Sequence, residues 1–109
     1  MGLTKSNLFS KKHNRLADIA KVLGHPARIA ILDHLIRQDA CICTDLSEKI
    51  GLAQATVSQH LKELRRTGLI KGNIEGVARC YCIDKAKWKE TAQYIAHFFS
   101  INTVSDECC

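Results

Sequence analysis

The stretch TDLSEKIGLAQATVSQHLKELRRTGLIKG, residues 44–72, constrains the fold more than any other part of this 109-residue chain. Thr44 is a suitable N-cap, Asp45 puts negative charge into a first turn, and Leu46 and Ile50 point inward on a short helix that stops at Gly51. After Leu52 and Ala53, residues 54–66 set Val57, Leu61 and Leu64 on one face, with Thr56, Gln59, Lys62, Arg65 and Arg66 largely on others. The pattern is helix, tight turn, helix.

The flanks supply the rest of a single core. Leu16, Ile19, Ala20 and Leu23 recur at helical spacing up to Gly24, and Pro26 opens a second helix whose apolar face is Ile29, Leu32, Leu35 and Ile36. Residues 39–43 break that period. TGLIKGNIEGVARCYCID switches to short apolar runs cut by Gly68, Gly72 and Gly76, which predicts two strands in a hairpin. Trp88, Ala92, Ile95 and Phe99 then return to helical spacing. The expected fold is mostly α with a small β-hairpin wing: a winged helix-turn-helix. Its expected organisation is a flexible N-terminal arm at 1–12, one domain at 13–100 and a tail at 101–109. A chain of this length buries about 65% of the surface it exposes when unfolded, enough for one core.

Sixteen Lys and Arg against eleven Asp and Glu give a net charge of +5, which favours an acidic partner. No stretch approaches ~18 apolar residues and the start lacks a signal-peptide core, so the expectation is a cytoplasmic protein with reduced thiols and no membrane partner. The MGLTKS start and the terminal Cys-Cys fit short lipid-acceptor patterns and are set aside as chance matches. On the second helix of the unit, Thr56, Ser58, Gln59 and His60 can donate or accept at base edges, and Gln59 can pair bidentately with adenine. Lys62, Arg65, Arg66 and Lys71 suit phosphates, which give affinity without sequence information. A solvated basic helix is the bland alternative; its place between a tight turn and a hairpin favours double-stranded DNA.

LADIAKVLGHPARIAILDHLIRQ, the 44–72 stretch and EGVARCYCID together resemble the ArsR/SmtB family of metal- and metalloid-responsive repressors, over roughly residues 14–100. The resemblance implies a homodimeric repressor paired through its first and last helices and released from a near-palindromic operator by an inducer. It places a dimer seam at Leu16, Ile19, Trp88, Ile95 and Phe99. It maps recognition contacts onto Gln54, Thr56, Ser58, Gln59 and His60, and wing contacts onto the region of Asn73 to Arg79. One departure is Ala53, where the family has a capping Ser; an absent cap costs about 1 kcal/mol.

The inducer question centres on Cys41-Ile42-Cys43. Arsenic-sensing members resemble this stretch but carry Cys-x-Cys directly before Asp-Leu and a third Cys two residues after the Asp. Here Thr44 intervenes and Ser47 stands at the third position. In an extended segment alternate side chains point the same way, whereas in a helix they diverge by ~200°. Chelation therefore needs a non-helical segment. A second Cys-x-Cys, Cys80 and Cys82, lies in the wing strand, where Val77, Tyr81 and Ile83 form the apolar set and should face the core. The two segments are expected to be able to pair, giving three or four thiolates for As(III) or a soft ion such as Cd, Zn or Cu. Whether Cys41 and Cys43 or Ile42 face inward stays open, as do cross-strand disulfides and simple burial of small apolar thiols. Cys108 and Cys109 are expected bystanders. His97 lacks the partners of the family's zinc-sensing pattern, and His25 is expected to cap or pack locally.

The expected function is an operator-specific repressor that needs no cofactor and is released when arsenite or another soft metal binds these thiols. A repressor switched by thiol oxidation or persulfidation is the alternative. A thiol oxidoreductase or metal-storage protein ranks last: no Cys-x-x-Cys accompanies a βαβ pattern and no nucleophile-base motif or Gly-rich phosphate loop is present, so no enzyme is expected.

Overall fold

The computed structural model describes residues 8–101. The MGLTKS start and Cys108 and Cys109 lie outside them. Helix α1 (Lys11–Leu23) starts where Ser10 Oγ accepts from the His13 amide at 3.0 Å, two residues ahead of the expected domain boundary. Helix α2 (Pro26–Gln38) opens on Pro26, with His25 Nδ1 accepting from the Ala27 amide at 3.4 Å, so His25 caps locally. It closes on Asp39 in the left-handed conformation, φ 49°.

Helix α3 (Ser47–Ile50) begins later than the sequence suggests. Thr44 does not cap it. Asp45 does the nearest thing: its carboxylate accepts from the Ser47 amide at 2.9 Å and the Ser47 hydroxyl at 3.0 Å, which holds residues 44–46 outside the helix. Gly51, at φ 83°, ends α3, and Ala53 precedes α4 (Gln54–Arg66) without a side-chain cap.

Strands β1 (Ile70–Asn73) and β2 (Cys80–Ile83) form an antiparallel hairpin in which Ile70 faces Ile83 and Asn73 faces Cys80. Helix α5 (Lys85–Phe99) follows, capped by Asp84 through the Lys87 amide at 3.1 Å. Ile31, Leu35, Leu46, Leu64, Ile70, Ile74 and Tyr81 are fully enclosed where α2, α3, α4 and the hairpin meet. Each such aliphatic side chain contributes about 1.5–3 kcal/mol relative to exposure. Val77 departs from its expected inward place: it sits beyond the end of β2 at the wing tip and is fully exposed. The strand alternation that governs Tyr81 does not extend to it.

The packing also separates the residues expected at a seam. Ile19 is buried by its own chain, and Trp88 packs against its own core, so neither is a free seam side chain. Leu16 and Ile95 are half-buried, and Phe99 is 77% exposed.

Candidate functional site

Helix α4 owes its orientation to Val57, Leu61 and Leu64, which are buried against α2 and the hairpin. With that face inward, Gln54, Thr56, Gln59, Lys62 and Arg65 are exposed and Ser58 is half-buried. Lys71 is exposed on β1 and Arg79 half-buried before β2. Amide and hydroxyl groups thus share a solvent-facing side of α4 with cations near the wing.

His60 does not belong to that side. It is 7% exposed, its Nδ1 accepts from Arg28 Nε at 3.1 Å, and its ring meets the His25 ring edge-on at 4.4 Å. The residue falls one helical turn from Val57 and Leu64, so it joins the buried face and is withdrawn from the base-contacting set. Burial first, then the neighbouring His25 and Arg28, hold its pKa below 6.5. A folded value below the unfolded one means that the unfolded chain takes up the proton first as pH falls. Stability contributed by neutral His60 is present above pH ~6.5 and is lost as pH drops through the folded pKa. His60→Gln keeps an acceptor for Arg28, so its Tm should decline less between pH 7 and 5 than that of the native chain. Parallel Tm profiles would refute this assignment.

Three contacts tie the wing to α4. The Gln54 amide oxygen, oriented by its hydrogen-bond partners, accepts from the Arg79 guanidinium at 2.7 and 2.8 Å. Lys62 Nζ lies 3.4 Å from Glu75, and Arg65 donates to the Gly72 carbonyl at 3.1 Å. Arg66 turns the other way, gripping Asp18 of α1 through two bonds of 3.0 Å, which hold the Asp18 carboxyl below its usual range. These four pairings were not legible in the sequence, because each joins residues whose proximity depends on packing. Surface pairs of this kind contribute little stability, but they set where the cations stand.

The thiols come together on a ribbon. Ile42 and Tyr81 exchange backbone hydrogen bonds at 2.7 and 2.9 Å, an antiparallel bridge between the segment before α3 and strand β2. Flanking positions in such a ladder are closely spaced non-hydrogen-bonded pairs whose side chains share the opposite face. Ile42 and Tyr81 therefore turn toward the core, and the Tyr81 hydroxyl donates to the Thr44 carbonyl at 3.4 Å. All four cysteines take the other face. Cys43 and Cys80 form a disulfide with Cα atoms 4.0 Å apart. Cys41 and Cys82 are free, with sulfurs 2.6 Å apart. The hydrogen bond with Cys41, together with burial, raises the Cys82 pKa above its ordinary 9.0. In this pairing no group of three or more His, Cys, Asp or Glu among the described residues is disposed to hold a metal ion.

A family model described as a helix-turn-helix domain matches residues 23–73. The arsenical resistance operon repressor of Staphylococcus xylosus is 33% identical over 97 residues, which is 89% of this chain and 88% of that protein. An uncharacterised HTH-type transcriptional regulator of Mycobacterium tuberculosis, Rv0081, is 40% identical over 67 residues, or 62% of this chain. That match spans 59% of the mycobacterial protein's own length. The crystal structure of Rv0081 superposes with a TM-score of 0.58 at 32% identity, covering 84% of this chain and 94% of that one. Reduced HlyU from Vibrio cholerae has the same TM-score, 0.58, at 23% identity over 94% of this chain and all of its own, a likeness of fold. The relatives are named as transcriptional regulators, in keeping with a non-enzymatic role. A mostly helical chain with an antiparallel wing, an amide- and hydroxyl-bearing helix after a tight turn, and this likeness to a repressor over nearly its whole length belongs to the ArsR family of winged-helix, DNA-binding transcriptional regulators.

Proposed function

We propose that this chain is a homodimeric, operator-specific repressor that releases double-stranded DNA when arsenite or another soft metal ion binds its cysteine thiolates. The observation that carries this reading is the single face shared by Cys41, Cys43, Cys80 and Cys82 on a ribbon that joins the segment before α3 to the wing. Soft thiolates select this class of ligand. On this reading the disulfide must be reduced before Cys43 and Cys80 can act as ligands.

Gln54, Thr56, Ser58 and Gln59 meet base edges, while Lys62, Arg65, Lys71 and Arg79 meet phosphates. Glu75 holds Lys62 until a phosphate replaces it. Leu16, Ile95 and Phe99 supply the dimer seam. No helix among the described residues is long and apolar enough to cross a membrane, and the protein acts on DNA in the cytoplasm.

Capture of a ligand reshapes the ribbon. One end of the ribbon leads through α3 and the tight turn into α4; the other is β2, whose wing is tied to α4 through Gln54–Arg79, Lys62–Glu75 and Arg65–Gly72. A shift in either end misaligns base-edge groups and phosphate-binding cations together. By reciprocity, operator DNA weakens inducer affinity by the same factor that the inducer weakens DNA.

Fluorescence anisotropy of the chain's own upstream DNA with fully reduced protein tests the proposal. Arsenite should release the native protein, and Cys41→Ser/Cys43→Ser should stay bound. Specific binding that neither arsenite nor Cd, Zn or Cu ions release at any concentration would defeat it.

The Cys43–Cys80 disulfide favours a second reading, a thiol switch. Closing that bond removes two protons and two electrons from the thiols, which a peroxide or a small disulfide would accept. Release by such an oxidant with metals chelated away, and recovery with dithiothreitol, would select it.

A further inference from the structure

We infer that Arg79 decides which base Gln54 reads: the guanidinium takes up the Gln54 amide oxygen and leaves only N–H donors for DNA, so Gln54 selects guanine rather than adenine at one major-groove position of each half-site. The inference rests on the operator-specific part of the proposed function and deepens it, and it does not depend on the inducer. It makes Arg79 a positioning residue as well as a phosphate contact.

Gln54 is the first residue of α4 and is exposed. Its Oε1 accepts from Arg79 Nη1 at 2.7 Å and from Nη2 at 2.8 Å. A carbonyl oxygen has two lone pairs, so these two bonds fill it. Both are short and charge-assisted, the strong kind of hydrogen bond. The arginine is itself anchored, because its Nε donates to the Gly76 carbonyl at 3.1 Å. The turn that presents it is braced by Asn73, which donates to the Ala78 carbonyl at 3.2 Å and accepts from the Glu75 amide at 3.4 Å. Three of the five guanidinium N–H groups are thereby engaged and two remain for a phosphate. The wing thus fixes which end of a side chain on α4 faces DNA.

An unengaged glutamine pairs bidentately with adenine because its oxygen accepts from N6 while its amino group donates to N7. That pairing needs the oxygen that Arg79 holds. What Gln54 keeps is an amino group with two donors, and guanine alone shows two acceptors, O6 and N7, in the major groove. Thymine offers one acceptor beside a methyl group, and cytosine offers a donor. Adenine N6 would meet the Gln54 amino group donor to donor, and a donor left unpaired in an interface is costly. Gln59 is the internal contrast. It is exposed on the same helix, and among the described residues no hydrogen bond engages its amide. It keeps both groups and can pair with adenine, so two glutamines on one helix read different bases.

The test measures anisotropy of reduced, inducer-free full chain on duplexes carrying its own upstream DNA with each base pair substituted in turn. Gln54→Ala identifies the position that Gln54 reads as the one where discrimination vanishes. There the native chain should prefer guanine over adenine about tenfold. Placing 7-deazaguanine at that position removes the N7 acceptor; it should cost the native chain most of that preference and cost Gln54→Ala nothing. Gln54→Glu keeps an acceptor for Arg79 but has no N–H, and should erase the guanine preference. Arg79→Met frees the oxygen and should turn the preference toward adenine, on top of a uniform loss from the missing phosphate contact. An Arg79 that touched phosphate alone would weaken all duplexes alike. The 7-deazaguanine result on the native chain stands even if a variant misfolds. Adenine preferred by the native chain at that position, a guanine preference that persists in Arg79→Met, or specific binding with no position sensitive to Gln54→Ala would overturn the inference. A flat profile across all duplexes defeats the operator-specific reading and this inference with it. Guanine selection by a protein that no inducer releases supports the inference and counts against the inducer reading alone.

Discussion

Gly72→Ala should cost the fold about 3 kcal/mol or more and collapse operator binding, whereas Gly76→Ala should cost about 1 kcal/mol. Both glycines have positive φ, 107° and 80°, so both substitutions strain the backbone. The difference is space. A methyl at Gly72 would overlap the Cys80 carbonyl oxygen and stand 2.9 Å from Tyr81 Cα, while at Gly76 nothing lies within 4 Å. Gly72 faces Tyr81 across the hairpin, and Tyr81 is itself bridged to Ile42, so the clash falls at the junction of wing and thiol ribbon. It also displaces the carbonyl that receives Arg65. Urea denaturation of the two variants, with m-values compared to exclude a change of unfolded state, measures the gap. Equal losses at both positions would mean that the hairpin yields without cost.

The second large effect concerns pairing. On the proposed homodimeric reading, Phe99→Glu should leave the chain monomeric at micromolar concentration and weaken operator binding about 100-fold or more, because two half-sites would then no longer be bound as one unit. Phe99 is 77% exposed and stacks edge-on with Phe98 at 5.4 Å between centroids. Tyr94 donates to the Lys12 carbonyl and Arg15 lies 3.6 Å from Glu90, so α1 and α5 run antiparallel. That direction brings exposed Leu8 and Phe9 toward the Phe98–Phe99 end, with Ile101 just beyond. Such a concentration of apolar surface is costly in water unless a second copy covers it. Phe99→Glu needs no repacking of the core, so the fold should remain. Sedimentation velocity and anisotropy on one sample separate the two effects; an intact dimer with Phe99→Glu would move the seam elsewhere.

Helix boundaries were the most legible part of the chain. Gly24, Pro26, Gly51 and the uncapped Ala53 mark them through local backbone chemistry, and residues 54–66 form a helix as their spacing implies. The start of α3 was misjudged because Asp45 and Thr44 are both capable of capping, and only geometry decides which oxygen reaches the Ser47 amide.

By itself the sequence determined the order of elements, the basic character of the chain and the helix that faces outward with amides and hydroxyls. Those features come from local propensity and from hydrophobic periodicity, which act over a few residues. Tertiary structure alone decided that His60 and Ile19 turn inward, that Val77 stands in solvent, and that Cys43 meets Cys80 while Cys41 meets Cys82. The paired cysteines are 37 and 41 positions apart in the chain. A shift of one residue in the Ile42–Tyr81 register would send Cys41 and Cys43 to the opposite face while Cys80 and Cys82 stay where the β1 pairing holds them, and register is set by which side chain, isoleucine or cysteine, gains more from burial against the assembled core.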